Sequence, residues 1–291
     1  MCELCPRKCN TPRVGEQVGF CGMGTKVKIA CAALHFWEEP CISGERGSGT
    51  VFFSGCNLKC VFCQNYEIST CHKGYYVSNE ELAELFLSLE TQGAHNLNLV
   101  TPTHFVPQII EALKLAKTKG FAIPVVYNCG GYERVETIRM LEGFVDVYIP
   151  DFKYHSEKLA EEYSSAPGYF EIASNAIAEM VAQVGSPVFG EDGIMRRGVL
   201  VRHLMLPGCL FDTKKVIDHL YDTYGDRIYL SLMSQYTPMP QCMDIPKLSK
   251  QLSPKHYDAM VDYCVGKGIT QAFVQAADSA SSAFIPEFAG E

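Results

Sequence analysis

The chain has 291 residues, 47% of them hydrophobic and 20% charged, with 25 Lys and Arg against 33 Asp and Glu for a net charge of −8. That length and composition fit one sizeable core, or a barrel with a small appendage, and the acidic balance argues against nucleic acid or an anionic membrane as partner. No apolar run reaches the length of a membrane span, and the opening Met-Cys-Glu-Leu-Cys-Pro-Arg-Lys has no signal-peptide core, so the expectation is a soluble, cytoplasmic protein.

Residues 1–49 hold six cysteines and few periodic apolar stretches, and read as a small Cys-rich extension that binds a metal or an iron–sulfur cluster. From Thr50 the pattern changes to short β-rich runs separated by helical stretches. The first run is Thr50–Ser54. Ser78-Asn-Glu-Glu81 is a capping box, with Leu82, Leu85, Phe86 and Leu89 at helical spacing behind it and Gly93 as the stop. Asn96–Val100 is the second strand, followed by a helix over Pro107–Lys119. Phe121–Tyr127 is the third strand, with a helix over Tyr132–Leu141. Val145–Pro150 is the fourth, with helices over 155–164 and 169–184. A glycine-containing loop, 185–197, leads to a fifth strand, Gly198–Leu206, and a helix over 213–224. Arg227–Met233 is the sixth, with a helix over 254–267 and a final short strand at Thr270–Val274. Six strands each followed by helix predict an α/β fold, a partial (β/α)6 TIM-type barrel of parallel strands over residues 50–275. Residues 276–291 read as a carboxyl-terminal tail.

Fourteen cysteines are an outlier, at about 5% of the chain and below the density of a disulfide mini-scaffold. Ten of them fall within the first 71 residues. Clustered cysteines in a chain that is neither short nor visibly exported point to thiolate ligands. Cys56-Asn-Leu-Lys-Cys60-Val-Phe-Cys63 lies directly after the first strand. Three thiolates on one tight loop can hold three irons of a [4Fe–4S] cluster, which normally takes four cysteines, and leave the fourth iron open. The spacing is not the paired C-x2-C of a structural zinc knuckle, although zinc or unrelated buried cysteines is the bland alternative.

With that loop the chain resembles the radical S-adenosylmethionine superfamily. Glu38-Glu-Pro, Ser43-Gly, Arg46-Gly-Ser-Gly-Thr50, Tyr127-Asn-Cys-Gly-Gly-Tyr132 and Asp151-Phe-Lys-Tyr154 extend the resemblance. Over residues 35–275 the chain looks like the uncharacterised radical proteins homologous to pyruvate formate-lyase activating enzymes. The resemblance implies that Cys56, Cys60 and Cys63 bind the cluster and that the open iron chelates the methionine moiety of S-adenosylmethionine. One electron would then release a 5′-deoxyadenosyl radical that abstracts hydrogen from the substrate, the hard chemistry being the cofactor's. Phe62 matches the aromatic position that packs on adenine. Where the superfamily usually carries Gly-Gly-Glu, this chain has Thr101-Pro-Thr-His104, and the backbone of Thr101–Thr103 is the expected substitute. Asn128-Cys-Gly-Gly131 matches a turn near the ribose, and Asp151-x-Lys153 matches a pair that assists cofactor binding. Arg202 and His203, with Leu206-Pro-Gly208 behind them, and Gln235 complete the set expected at the carboxyl ends of the strands. Taken singly, an Asp-x-Lys pair or a lone histidine such as His104 or His203 is more often structural.

The implied substrate is a glycine of a partner glycyl radical enzyme, and the implied electron donor is a flavodoxin or ferredoxin. Radical modification of a small molecule or a peptide is the rival within enzymes. A non-catalytic iron–sulfur carrier or redox sensor is the alternative of another class, and it would require four protein ligands on every cluster. Cys2-x2-Cys5-x3-Cys9-x11-Cys21 has plausible spacing for a second [4Fe–4S] cluster or for zinc, with free cysteines in a frayed arm as the bland reading. Cys31, Cys41 and Cys71 are spare candidates. Cys129, Cys209, Cys242 and Cys264 read as core or loop thiols.

Overall fold

Strands rich in Val, Leu, Ile and Phe that are buried along their whole length need cover on both faces. β2 (Ser48–Phe53), β4 (Leu97–Val100), β5 (Val125–Cys129) and β6 (Val147–Pro150) are such strands in the computed structural model, which describes residues 1–15 and 17–275. The expected tail, 276–291, lies outside the described residues. Before β2 come β1 (Val27–His35) and the short α1 (Pro40–Ser43). After it come α2 (Tyr66–Ser69), β3 (Tyr75–Val77), α3 (Asn79–Thr91), α4 (Val106–Thr118) and α5 (Val135–Met140). The second half adds α6 (Glu157–Ser164), α7 (Tyr169–Val184), β7 (Val188–Phe189), β8 (Met195–Leu204), α8 (Leu210–Tyr224), β9 (Tyr229–Met233), α9 (Pro254–Gly266) and β10 (Ala272–Val274).

The strand order is β10-β9-β8-β6-β5-β4-β2-β1-β3, with β7 paired to β8. All neighbours from β2 to β10 are parallel, whereas β1 is antiparallel to β2 and β3 to β1. The order ends at β10 on one side and β3 on the other, so the sheet is an open, partial barrel of the expected α/β class. Helices cover its outer face through residues at helical spacing, such as Leu82, Phe86 and Leu89 of α3 and Ile109, Leu113 and Ala116 of α4, all 1% exposed or less.

The boundaries differ from expectation where local chemistry intervenes. The third strand begins at Val125 instead of Phe121 because Pro124 has no N–H to donate to a ladder; its carbonyl instead accepts the Leu97 N–H at 2.9 Å. The fifth strand begins early, at Met195, because the loop before it folds back as β7 to form a hairpin. The helix expected from Tyr132 starts at Val135. The sheet also reaches upstream of Thr50, since β1 and α1 fall within the residues that the composition sets apart as an extension.

α1 closes the amino-terminal end of the barrel. Cys41 and Ile42 pack on Val126, Val147, Ile149 and Leu200, an apolar floor built from the inner-facing residues low on the strands. Alternation keeps Asn98, level with Val126, on the same inner face, and places Asn128 two residues past Val126 and Arg202 two past Leu200, with Ser231 beside Arg202. An apolar floor beneath a polar layer is what positions the site.

The capping box forms at α3: Ser78 Oγ accepts the Glu81 N–H at 3.1 Å, and Glu81 Oε2 accepts the Ser78 N–H at 2.7 Å. Ser78→Ala should lower stability by about 1 kcal/mol. A urea unfolding midpoint that falls with an unchanged slope would register the loss.

Candidate functional site

The loop after β2 carries Cys56, Cys60 and Cys63, and its backbone is tied to the end of α6. Lys59 N–H donates to Ser164 O at 3.1 Å and Val61 N–H to Tyr163 O at 2.9 Å. The sulfurs have donors of their own: Leu58 N–H reaches Cys56 Sγ at 3.4 Å, and Ser164 Oγ lies 2.9 Å from Cys60 Sγ. Cys63 Sγ lies 3.3 Å from Ser69 Oγ. Burial pushes the Cys56 and Cys63 thiols well up, each thiolate being further opposed by Cys60, while Lys153 pulls both down.

All three cysteines line one cavity of about 240 Å³ at the carboxyl ends of the strands. Phe62, Thr101, Asn128, Asp151, Lys153, Arg202 and Gln235 line the same cavity, so the structure brings most of the sequence-derived set together. Thr101 is a β-branched residue in the left-handed region at φ 57°, a conformation that costs on the order of 1–3 kcal/mol. Its N–H donates to Asn128 O at 2.8 Å. Two expected residues do not reach the cavity. Thr103 turns its hydroxyl to Glu133 at 2.7 Å, and buried His203 is held between Phe152 O at 2.6 Å and Thr213 Oγ1 at 3.0 Å. His104 is buried too, with Nε2 on Ser54 O at 2.7 Å, and burial lowers its pKa to about 3.

The polar layer is a charge network. Arg202 Nε donates to Asp151 Oδ1 at 3.1 Å, Nη1 to Glu38 Oε2 at 3.0 Å and Nη2 to Asn128 Oδ1 at 2.6 Å. Lys153 Nζ donates to Asp151 Oδ2 at 2.7 Å. Asn98 and Asn128 both donate to Glu38 Oε1, at 3.1 and 3.2 Å. Burial alone would raise the Asp151 carboxyl, but Lys153 and Arg202 outweigh it and hold the group below the usual carboxylate range. Burial would likewise lower Lys153, and the Asp151 carboxylate outweighs it upward.

Behind Asp151, the Asn128-Cys-Gly-Gly turn packs so closely that a methyl on Gly131 (φ 76°) would sit 2.1 Å from Asp151 O. Tyr169, from the start of α7, fastens the same place. Its hydroxyl accepts the Lys153 N–H at 2.9 Å and lies 2.8 Å from Gly130 O.

Sequence reasoning missed Glu38, Glu39, Gln64, Asn98 and Tyr169. Glu38 and Glu39 line a second cavity of about 250 Å³ that adjoins the first, sharing Gln64, Asn128, Arg202 and Gln235 with it. His35 from β1 and Phe273 from β10 both line this compartment, so it lies at the open seam of the barrel. The available signal was Glu38-Glu-Pro40, two acids directly before a helix-starting proline.

Among the described residues no three His, Cys, Asp or Glu side chains are arranged to hold a single metal ion. The cavity cysteines suit a polynuclear cluster, in which each iron takes one thiolate. Cys129 also reaches the cavity wall, but burial, reinforced by the nearby Glu133 carboxylate, raises its pKa. The fit is therefore to a cluster with three protein thiolates and one open position, beside a cavity with apolar walls (Phe62, Ile68) and a cationic pair.

Residues 50–195 match the family described as the Radical SAM superfamily. An uncharacterized protein of Methanocaldococcus jannaschii is 30% identical over 263 residues, covering 87% of this chain and 70% of that protein. Among solved structures, a radical SAM methyltransferase from Sphaerobacter thermophilus superposes with a TM-score of 0.54 at 16% identity, over 78% of this chain and 66% of that one. Streptococcus suis SuiB superposes in its S-adenosylmethionine complex (TM-score 0.51, 12% identity, 77% of this chain and 49% of that one). It does so equally in its complex with the precursor peptide SuiA (TM-score 0.50, 11% identity, 77% and 47%). The chain thus spans about half the length of SuiB, and at these identities the likeness is one of fold.

Arg202→Met should destabilise the fold by about 3 kcal/mol, because it leaves Glu38 buried with amide donors alone; equilibrium urea unfolding measures it. A second outcome concerns Glu133, whose carboxyl is raised by burial, against donors from Thr103 and Tyr127, from 4.5 to about 8. The folded chain then holds a proton that the unfolded chain releases. This contribution to stability is complete below pH 4.5 and is lost as pH rises through about 8. Glu133→Gln should flatten the decline in unfolding midpoint across that window.

Proposed function

The chain belongs to the Radical SAM superfamily, and on that premise we propose that it holds a [4Fe–4S] cluster on Cys56, Cys60 and Cys63 and acts on a substrate through S-adenosylmethionine. The observation that carries this reading is the single cavity in which three thiols meet Asn128, Asp151, Lys153 and Arg202. When bound, the cluster and S-adenosylmethionine supply a 5′-deoxyadenosyl radical able to take hydrogen from carbon.

The chain's own residues bind and orient. The N–H of Leu58 and the hydroxyls of Ser164 and Ser69 fix the sulfurs. Lys153 and Arg202 offer donors to the cofactor's carboxylate and ribose while Asp151 keeps both cations in place. Asn128 and Gln235 add polar contacts, Phe62 offers a face for adenine, and the strained Thr101 backbone stands in for the missing Gly-Gly-Glu. Thr103 and His203 support the walls.

The substrate in this reading is a glycine in a loop of a partner glycyl radical enzyme, entering at the seam between β1 and β10. The complex of SuiB with its precursor peptide supports a peptide as the class of substrate. The modest seam compartment, about 250 Å³, favours the alternative of a small molecule or short peptide. The electron donor is a flavodoxin or ferredoxin, in a cytoplasm where thiols stay reduced; no helix among the described residues is long and apolar enough to cross a membrane. Cys2, Cys5, Cys9 and Cys21 form a second metal centre, of zinc or iron–sulfur type.

The test is anaerobic. The reconstituted, reduced protein given S-adenosylmethionine should form 5′-deoxyadenosine, and Cys60→Ala should remain folded and form none. Native-level product from that variant would overturn the ligand assignment. A fully loaded protein that neither binds nor cleaves S-adenosylmethionine would favour the electron-carrier reading.

A further inference from the structure

We infer that the seam compartment binds a protonated amine on a short aliphatic stem, and that the Glu39 carboxylate receives it. As a substrate assignment this rests on the radical reading of the adjoining cavity; the binding itself does not.

Among the acids that line the two adjoining cavities, Glu39 is the one without an ion pair among the described residues. Both oxygens of its neighbour are engaged. Glu38 Oε2 accepts from Arg202 at 3.0 Å, and Oε1 accepts from Asn98 and Asn128. Asp151 has both Lys153 and Arg202. Arg202 is thereby divided among Glu38, Asp151 and Asn128, and acts on Glu39 only through its charge. Ser231 is the side chain that hydrogen-bonds Glu39, while Glu39 Oε2 is shielded from solvent and has no partner among the described residues. Burial pushes this carboxyl up, against the pull of Arg202 and with the push of Glu38. A shielded carboxylate oxygen that lacks a donor is unfavourable until a ligand supplies one.

The charges of the site point the same way. Apart from the cysteines, the ionisable groups described along the two cavities are Glu38, Glu39 and Asp151 against Lys153 and Arg202, with His35 at the seam. Burial lowers the His35 imidazole, so that ring adds no charge at neutral pH. One carboxylate is in excess, and Glu39 lines the seam compartment but not the cysteine cavity. A cation that enters the compartment completes the pairing.

The remaining wall suits carbon. Phe52, Val100, Met233 and Phe273 line the compartment, whose volume of about 250 Å³ is that of a site for a side chain or a small molecule. Alkylammonium groups bury their methylenes on such surfaces and keep the charged head on an anion. The wall shared through Gln64, Asn128, Arg202 and Gln235 sets the anchored group beside the cavity of the three thiols. Two sources carry this chemistry, a lysine side chain of a peptide and a free alkylamine.

The cluster-loaded full chain with S-adenosylmethionine is to be titrated calorimetrically, under anaerobic conditions, with a blocked Gly-Lys-Gly peptide and with n-butylamine. The same peptide acetylated on lysine, and n-butanol, are the uncharged counterparts. At least one amine should bind about tenfold more tightly than its counterpart. Tighter binding of the peptide assigns a lysine side chain, and tighter binding of butylamine a free amine. The preference should vanish in Glu39→Gln and survive in part in Glu39→Asp, which keeps the charge. Equal affinities for charged and uncharged probes, binding of neither amine, or a preference undiminished in Glu39→Gln would overturn the inference. Weaker binding of S-adenosylmethionine by Glu39→Gln, measured without amine, would assign Glu39 to the cofactor and overturn it as well. If the amine binds through Glu39 and no 5′-deoxyadenosine forms with it or without it, the radical reading fails and the amine site stands.

Discussion

Arg202 is the pivot of this barrel. Its guanidinium divides among a carboxylate from the floor (Glu38), one from the end of β6 (Asp151) and an amide from β5 (Asn128). None of these groups could be buried singly, because an unpaired ion inside a protein costs several kcal/mol. Together they satisfy one another and hold three parallel strands and the floor segment in fixed relation. Lys153 then sits at a set place beside the thiols because Asp151, its partner at 2.7 Å, is itself held by Arg202.

The cysteine loop is positioned from outside by a different device. α6 lends the loop backbone acceptors from Tyr163 and Ser164, and the Ser164 hydroxyl serves Cys60. Tyr169, a few residues on, clasps the Gly-Gly turn to the strand end that carries Asp151 and Lys153. One stretch of chain, 163–169, therefore fixes the thiolate loop and the cationic pair relative to each other. Such coupling suits a site that must hold two groups at a set separation.

Much of this was legible in sequence, for identifiable reasons. Strands covered on both faces read as continuous apolar runs, and Ser78 with Glu81 marks a helix start by a purely local reciprocity. Cys56, Cys60 and Cys63 are close in sequence and share a loop, so their spacing carries their geometry. Glu38 was not legible as a member of the network, because an acid in a short Glu-Glu-Pro connection looks solvated until Arg202 appears beside it. Thr103 and His203 were placed at the right end of the sheet and yet do not line the cavity, since a side chain's direction turns on single-residue register that pattern reading does not resolve. β1 and β3 escaped because the helices that join these antiparallel edge partners to the sheet, α1 and α2, are only four residues long, too short to show a helical period.

The pairing of Glu38 with Arg202 also spans 164 positions of sequence. On the ribosome the acid emerges long before its cation, so the floor cannot settle under the strands until β8 has been made. Contacts of such separation are slow to form, and half-made chains expose apolar edges meanwhile. The interior of this barrel is thus completed late in synthesis, with α1 waiting beneath an unfinished sheet.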